Sequence, residues 1–258
     1  MKASVNYWPQ SKTAKAFWSQ HELPAYQELL RDTKAWLEPK PGQRWLDLGC
    51  GGGQLTRALW ELSRGQIGAI TGVDCAAANV HAYERLRRTL HADSERIRFH
   101  AADFSSGFPD WPGNQFDGVV SGLALQYAEC YSDERGTWTQ AAYDRILAEV
   151  FRLLKPQGTF VFSVNVPEPA WGKVAWRSLG GVFRNRKPFR YLKKAWRLWS
   201  YGTWLTREAR RGRFHYLPWE QIEAKLHAAG FGDLEHRVCY ADTAFLIRCR
   251  KPIPCPVI

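Results

Sequence analysis

No uninterrupted apolar run in this 258-residue chain approaches the ~18 residues that a membrane-crossing helix needs, and Met1 to Ser19 holds no long apolar leader region. An exported or membrane-spanning protein is therefore not expected. The six cysteines, Cys50, Cys75, Cys130, Cys239, Cys249 and Cys255, stand far apart, with no Cys-x-x-Cys pair and no His/Cys cluster. That spacing offers neither a zinc site nor a disulfide framework, so reduced cytoplasmic thiols and no metal are the expectation. Internal repeats and low-complexity tracts are also missing, which sets solenoids and extended linkers aside. What is present is the 45% hydrophobic content of a folded domain, with 13 Trp to argue against disorder. The length suits one large domain, or a ~200-residue core with an insertion, and needs no covalent staple.

Charge is distributed unevenly. Pro167 to His215 contains 13 Lys or Arg against two acids, Glu168 and Glu208, an excess equal to the +11 of the whole chain. Everything outside this stretch is formally neutral, and the shift marks 167–215 as a separate module.

The neutral part alternates short apolar runs with helical patterns. Arg44–Cys50, Ala69–Cys75, Ile97–Phe104, Phe116–Gly122 and Gly158–Val166 read as strands bounded by Gly, Pro or Asp. Gln54–Leu62, Asn79–His91 and Thr137–Lys155 read as helices, the last stopped by Pro156 and Gly158. Such alternation implies a parallel sheet covered on both faces. A helix over Pro218–Ala229 and strands at Leu234–Tyr240 and Ala244–Arg250 follow, and the short connection between those strands allows only antiparallel pairing. The expectation is an α/β, Rossmann-like fold: a seven-stranded, mostly parallel sheet with one reversed strand, helices on both faces, and a helical basic insertion after the fifth strand. Lys12 to Leu37 reads as helical with a break at Pro24, its aromatics Phe17, Trp18, Tyr26 and Trp36 packing on the sheet. The expected division is an N-terminal helical cap (1–40), a core (41–166), the insertion (167–215) and a completing segment (216–258).

Within the core, Trp45 to Leu55 (WLDLGCGGGQL) puts Gly49, Gly51, Gly52 and Gly53 at a strand-to-helix turn, where backbone can approach a ligand closely. The dinucleotide fingerprint would need glycine where Gln54 stands, and no G-K-[ST] phosphate-loop ending is present. The remaining pattern is D-x-G-x-G-x-G with Asp47 at the strand's end, and Asp74 and Asp103 end the next two strands in the same way. Any one such Asp could be a turn former or helix cap; three in register are harder to explain so.

With FDGVVSGLALQYAE (Phe116–Glu129) and EVFRLLKPQGTFVFS (Glu149–Ser163), this set resembles the class I S-adenosylmethionine-dependent methyltransferases, in particular their small-molecule, type 11 branch. The resemblance covers residues 40–166 strongly and 216–251 loosely. It implies that S-adenosyl-L-methionine is the cofactor, leaving as S-adenosyl-L-homocysteine. Asp47, Gly49, Gly51 and Gly53 would form its turn, and Asp74 would accept both ribose hydroxyls. Asp103 would accept from the adenine amine beside Phe104, and Ser121 would lie near the methionine end. Gly52 is read as structural. The acceptor side is expected after the fourth strand, at Gln126, Tyr127 and Glu129, with His215 as a further candidate. Methyl transfer from a sulfonium demands alignment and water exclusion first, and a base only where the acceptor must lose a proton, so no catalytic residue is assigned.

The basic segment also carries Trp171, Trp176, Trp196, Trp199 and Trp204, and Tyr191–Leu205 places Leu192, Trp196 and Trp199 at helical spacing. It reads first as a lid that shapes the pocket of a small aromatic or hydrophobic acceptor, with or without contact to an anionic membrane. The alternative is a methyltransferase-fold protein that uses this segment to bind an acidic partner: acyl carrier protein, anionic membrane or RNA. SGLALQYAE resembles the matching segment of biotin-pathway enzymes that methylate a malonyl group on acyl carrier protein. Nucleic acid is disfavoured because no acceptor motif of the base methyltransferases is present.

Overall fold

The computed structural model describes Trp8, residues 24–179 and residues 200–254. Phe17, Trp18, Cys255 and most of Tyr191–Leu205 lie outside these, so the readings made there do not enter the structural description. In order the chain forms α1 (Pro24–Lys34), β1 (Arg44–Leu48), α2 (Gln54–Leu62), β2 (Ala69–Asp74), α3 (Val80–Leu90), β3 (Ile97–Ala101) and β4 (Phe116–Gly122). A small hairpin of β5 (Tyr131–Ser132) and β6 (Thr137–Trp138) precedes α4 (Ala141–Leu153), β7 (Leu154–Asn165) and α5 (Trp171–Leu179). Then come α6 (residues 200–210), α7 (Trp219–Ala228), β8 (Gly232–Cys239) and β9 (Ala244–Arg250).

Seven strands form one sheet in the order β3-β2-β1-β4-β7-β9-β8. β1, β2, β3, β4 and β7 run parallel, and β9 lies antiparallel between β7 and β8. This is the expected mostly parallel sheet with a single reversed strand. From β1 the chain steps outward to β2 and β3, then returns to the other side of β1 at β4. The chain leaving β1 crosses to β2 and the chain leaving β4 crosses to β7, towards opposite edges of the sheet, and a crevice opens at the carboxyl edge above this switch point.

Strand residues alternate between two cores. Leu46, Leu48, Val119, Phe160, Phe162 and Ile247 meet the apolar stripe of α4 (Tyr143, Ile146, Leu147, Val150) and Ile222 and Leu226 of α7. Trp45, Ile70, Val120, Val161 and Leu246 face the other way, onto Leu29 of α1, Leu55 and Leu59 of α2, Trp171 and Val174 of α5 and Leu205 of α6. The described parts of the N-terminal region and of the basic insertion thus share one sheet face with α2.

Most boundaries move by one to three residues, β3 ending at Ala101 and not Phe104, and two starts differ by four. The helix expected from Thr137 starts at Ala141, because Thr137 and Trp138 pair back on Ser132 and Tyr131. The strand expected from Gly158 starts at Leu154, which pairs with Phe116 ahead of an irregularity at Gly118. Lys155 Nζ, 2.8 Å from Asp117 Oδ1, helps to hold that early pairing.

Gly118 lies beneath the Trp45 ring, where an added Cβ would come within 2.6 Å of the indole. Overpacking of this kind costs about 1–3 kcal/mol. Gly118→Ala should therefore lower the calorimetric melting midpoint by several degrees, at roughly 2–4 °C per kcal/mol for a chain of this size.

Candidate active site

The turn after β1 is bound to β2. Gly49 and Cys50 N–H both donate to the Val73 carbonyl, at 2.8 and 3.0 Å. Gly51 N–H donates to Asp74 Oδ2 at 2.9 Å, and Ala76 N–H donates to Asp74 Oδ1 at 2.8 Å. At Gly49 (φ +71°) a Cβ would strike that of Ala124 at 2.2 Å, so the β1 and β4 loops touch through this glycine. Gly51 (φ +48°) has open space where its Cβ would be. Burial raises the Asp74 carboxyl above its ordinary value, opposed by the bonds from Ala76 and Gly51.

Asp47 is 1% exposed. Its Oδ2 accepts from the Thr56 N–H at 2.9 Å and from the Thr56 hydroxyl at 2.7 Å, tying the end of β1 to the first turn of α2. Its Oδ1 is buried with no hydrogen-bond partner among the described residues. Burial pushes this carboxyl up to about 7, against the hydrogen bonds from Thr56. Asp103 lies just beyond β3, its Oδ1 accepting from Ser105 N–H at 2.9 Å.

These groups line one cleft of about 1360 Å³, its open mouth included. On the β1-β2-β3 side it presents Asp47, Gly49, Gly51, Gly52, Asp74, Asn79, Asp103 and Phe104. On the β4-β7-β9-β8 side and above, it presents Tyr127, Asn165, Trp171, Tyr201 and Tyr240, together with Trp8 and Tyr26. None of the described lining residues is Lys, Arg or His. A chain of net charge +11 therefore surrounds a cleft whose described lining carries three Asp and no basic residue. Tyr127 packs edge-on against Phe214 at 5.0 Å, with its hydroxyl 3.2 Å from that of Tyr216. Burial lifts this phenol to about 12, so it stays protonated at neutral pH.

Several expected site residues are placed elsewhere. Ser121 is buried within β4 and donates to the Leu48 carbonyl at 2.7 Å, so its hydroxyl joins strands and does not line the cleft. Gly53 (φ +79°) caps α2 and faces α3, where a Cβ would come within 2.7 Å of Leu86. Gly52, read as structural, lines the cleft. His215 is buried against Tyr143, with its Nε2 2.8 Å from the Ala128 carbonyl, and burial lowers its pKa. It is a packing residue, held away from the lining. Glu129 receives Arg213 at 3.0 and 3.2 Å, anchoring the end of the basic segment to the loop after β4. Tyr26, expected only to pack, lines the cleft edge-on to Tyr240.

Gln126 sits behind the lining and reaches it through Asn165, which sequence reasoning passed over. Gln126 Nε2 donates to Asn165 Oδ1 at 3.3 Å. Gln126 Oε1 and Asn165 Nδ2 have no hydrogen-bond partner among the described residues, although the two residues are 0% and 1% exposed. A polar residue ending an apolar strand (Phe160–Val164) was the available signal. Tyr240 and Trp8 had none, since only tertiary folding brings them here.

Residues 46–162 match a family model described as methyltransferase domain. A sterol 24-C-methyltransferase of Gibberella zeae is 29% identical over 126 residues, 47% of this chain and 27% of that protein. A demethylmenaquinone methyltransferase of Symbiobacterium thermophilum is 31% identical over 127 residues, 47% of this chain and 42% of that one. The matched stretch thus spans well under two thirds of these relatives. Among solved structures, the N-methyltransferase NodS of Bradyrhizobium japonicum, in complex with S-adenosyl-L-homocysteine, superposes with a TM-score of 0.57 at 16% identity, covering 92% of each chain. In its core, residues 46–162, the chain is similar to the class I S-adenosylmethionine-dependent methyltransferases. A chain of the complex between the Haloferax volcanii Trm112 methyltransferase activator and a methyltransferase shares the fold over 98% of this chain and 100% of its own length, with a TM-score of 0.62 at 17% identity.

Among the described residues no group of three or more His, Cys, Asp or Glu is placed to hold a metal ion, and no helix is long and apolar enough to cross a membrane.

The raised Asp47 pKa has a pH signature. The folded state holds this proton more tightly than the unfolded chain, so its stabilising contribution is complete below the unfolded pKa of ~3.9 and is lost as pH rises through about 7. Asp47→Asn keeps an acceptor for Thr56 and never ionises. Its stability relative to the parent should rise between pH 5 and 8 in urea titrations of the ligand-free protein.

Proposed function

We propose that this protein transfers a methyl group from S-adenosyl-L-methionine to a small, aromatic or hydrophobic acceptor. The observation that carries the reading is one cleft with three carboxylates and a glycine turn on one side and an aromatic wall on the other. Relatives named for sterol and demethylmenaquinone methylation support an apolar acceptor.

The residues present suit the cofactor. Asp47 keeps a buried, unmatched oxygen for an ammonium, the open space beside Gly51 admits a ligand against backbone, and Asp74 retains lone pairs for hydroxyl donors. In this assignment Asp47, Gly49, Gly51 and Gly52 hold the methionine end, Asp74 the ribose, and Asp103 with Phe104 the adenine. The cofactor, when bound, supplies an already activated methyl group.

What remains for the chain is to align the acceptor and keep water away. Tyr127, Trp171, Tyr201 and Tyr240 form the apolar wall, so helices α5 and α6 serve as the acceptor-side cover. Asn165, its carbonyl held from behind by Gln126, offers one donor to a neutral polar group, because a buried amide N–H left unmatched costs free energy that a ligand's hydroxyl or carbonyl recovers. With His215 turned away and Tyr127 held neutral, no described residue of the acceptor wall is a base at neutral pH. The reading favours an acceptor that is nucleophilic without enzymatic deprotonation.

Asp74→Ala should weaken S-adenosyl-L-methionine binding in calorimetry by about 2–4 kcal/mol, the value of one or two charge-assisted hydrogen bonds. Label transfer from methyl-labelled cofactor into fractionated lysate should appear in an apolar small-molecule fraction. Labelling confined to protein or RNA would overturn the acceptor class.

A further inference from the structure

The two described helices of the basic insertion have opposite faces of different character. Inward, Trp171 of α5 and Tyr201, Gly202 and Leu205 of α6 line the cleft. Their close fit is visible at Gly202, where a Cβ would come within 2.5 Å of the Trp171 ring. Outward, α5 shows Gly172, Lys173 and Trp176, and α6 shows Thr203, Arg207 and Arg210, with Arg211 just after it, all exposed. A shallow groove lined by Gly172, Thr203, Arg207 and Arg210 joins the two outer faces into one surface.

Trp176 is 76% exposed, more than any other large apolar side chain among the described residues. Arg207 and Arg210 form no ion pair with any described residue. The acids nearby are few: Asp242 pairs with Lys173 at 3.0 Å, Glu208 is buried beneath Arg211 and Arg213, and Glu168 precedes α5. The sequence that joins the two helices, residues 180–199, adds seven basic residues and no acid.

We propose that the outer face of α5 and α6, through Lys173, Trp176, Arg207 and Arg210, docks on the surface of an anionic lipid bilayer. An indole at the interface with Lys and Arg toward acidic head groups is the chemistry that such a surface selects. An acidic protein or an RNA would match the arginines, but neither explains why the exposed indole lies beside the apolar cover of the cleft. Docked in this way, the helices that contact lipid are the helices that wall the acceptor site, so an apolar acceptor passes from bilayer to cleft with little exposure to water. The value of this route rests on the apolar acceptor proposed above; the docking itself does not.

The test is flotation of the full chain with vesicles of phosphatidylcholine alone and of phosphatidylcholine with phosphatidylglycerol, at low and high salt. Binding to the anionic vesicles alone, weakened by salt, is the expected result. Arg207→Gln with Arg210→Gln should reduce it about thirty-fold, the product for two basic residues at such a surface. Trp176→Ser should reduce it several-fold and leave the salt dependence intact. Unchanged melting midpoints and cofactor affinity in these variants show that the fold and cleft are undisturbed. Equal binding to both vesicle types, equal binding by the arginine variant, or capture by RNA or an acidic protein without vesicle binding would overturn the proposal. Vesicle binding by a chain with no affinity for the cofactor would leave the surface standing and remove the proposed function, so the two fail separately.

Discussion

The buried carboxylate of Asp47 is the constraint from which the site's arrangement follows. One of its oxygens takes both donors of Thr56 and so fixes how α2 leaves β1. Tyr83 of α3 lies 2.7 Å from the same Thr56 hydroxyl, which extends the link from the first strand to the second crossover helix. The glycine turn between these points has little freedom left, because its N–H groups are already bound to Val73 and Asp74. A carboxylate removed from water without full compensation is costly. The cost falls at the one place where the fold's geometry brings a ligand, and strain or unmet bonding is commonly stored at such places.

The charge map follows the same division. The sheet and its flanking helices are formally neutral, and the excess of +11 sits in one insertion. Part of that excess is internal: Arg213 bridges Glu129 and Glu208 and stacks near Trp138, which locks the insertion's end onto the loop after β4. Lys173, Arg207, Arg210 and Arg211 face solvent on α5, on α6 and at its end. A count of basic residues alone would have treated these two groups alike.

How much could be read from the sequence depended on how local each determinant was. β4 and β9 have the expected limits because Gly, Asp or Pro bounds a short apolar run on each side. The β5–β6 hairpin was missed because two-residue strands have no period to detect, and Leu154 joins β7 through a partner 38 residues away, at Phe116. At the site the three acids were legible from the apolar runs that they follow, although only Asp74 ends its strand, Asp47 preceding the last residue of β1 and Asp103 lying two residues past β3, whereas Ser121 and His215 were misjudged because sequence proximity to a cleft does not say which way a side chain turns. The aromatic wall was legible only in part. Trp8, Tyr26, Asn165 and Tyr240 come from four separate regions, and nothing local links them.

The reversal of β9 has a consequence for biosynthesis. It returns the chain through Tyr240, Ala241 and Asp242, three successive left-handed residues, and delivers the Tyr240 ring to the rim of the crevice. The carboxylate half of that crevice is encoded between residues 47 and 104, while its opposite half awaits residue 240. On the ribosome, the half that carries the acids is translated well before the ring that closes the other, and the enclosure is finished only when the hairpin of β8 and β9 has emerged.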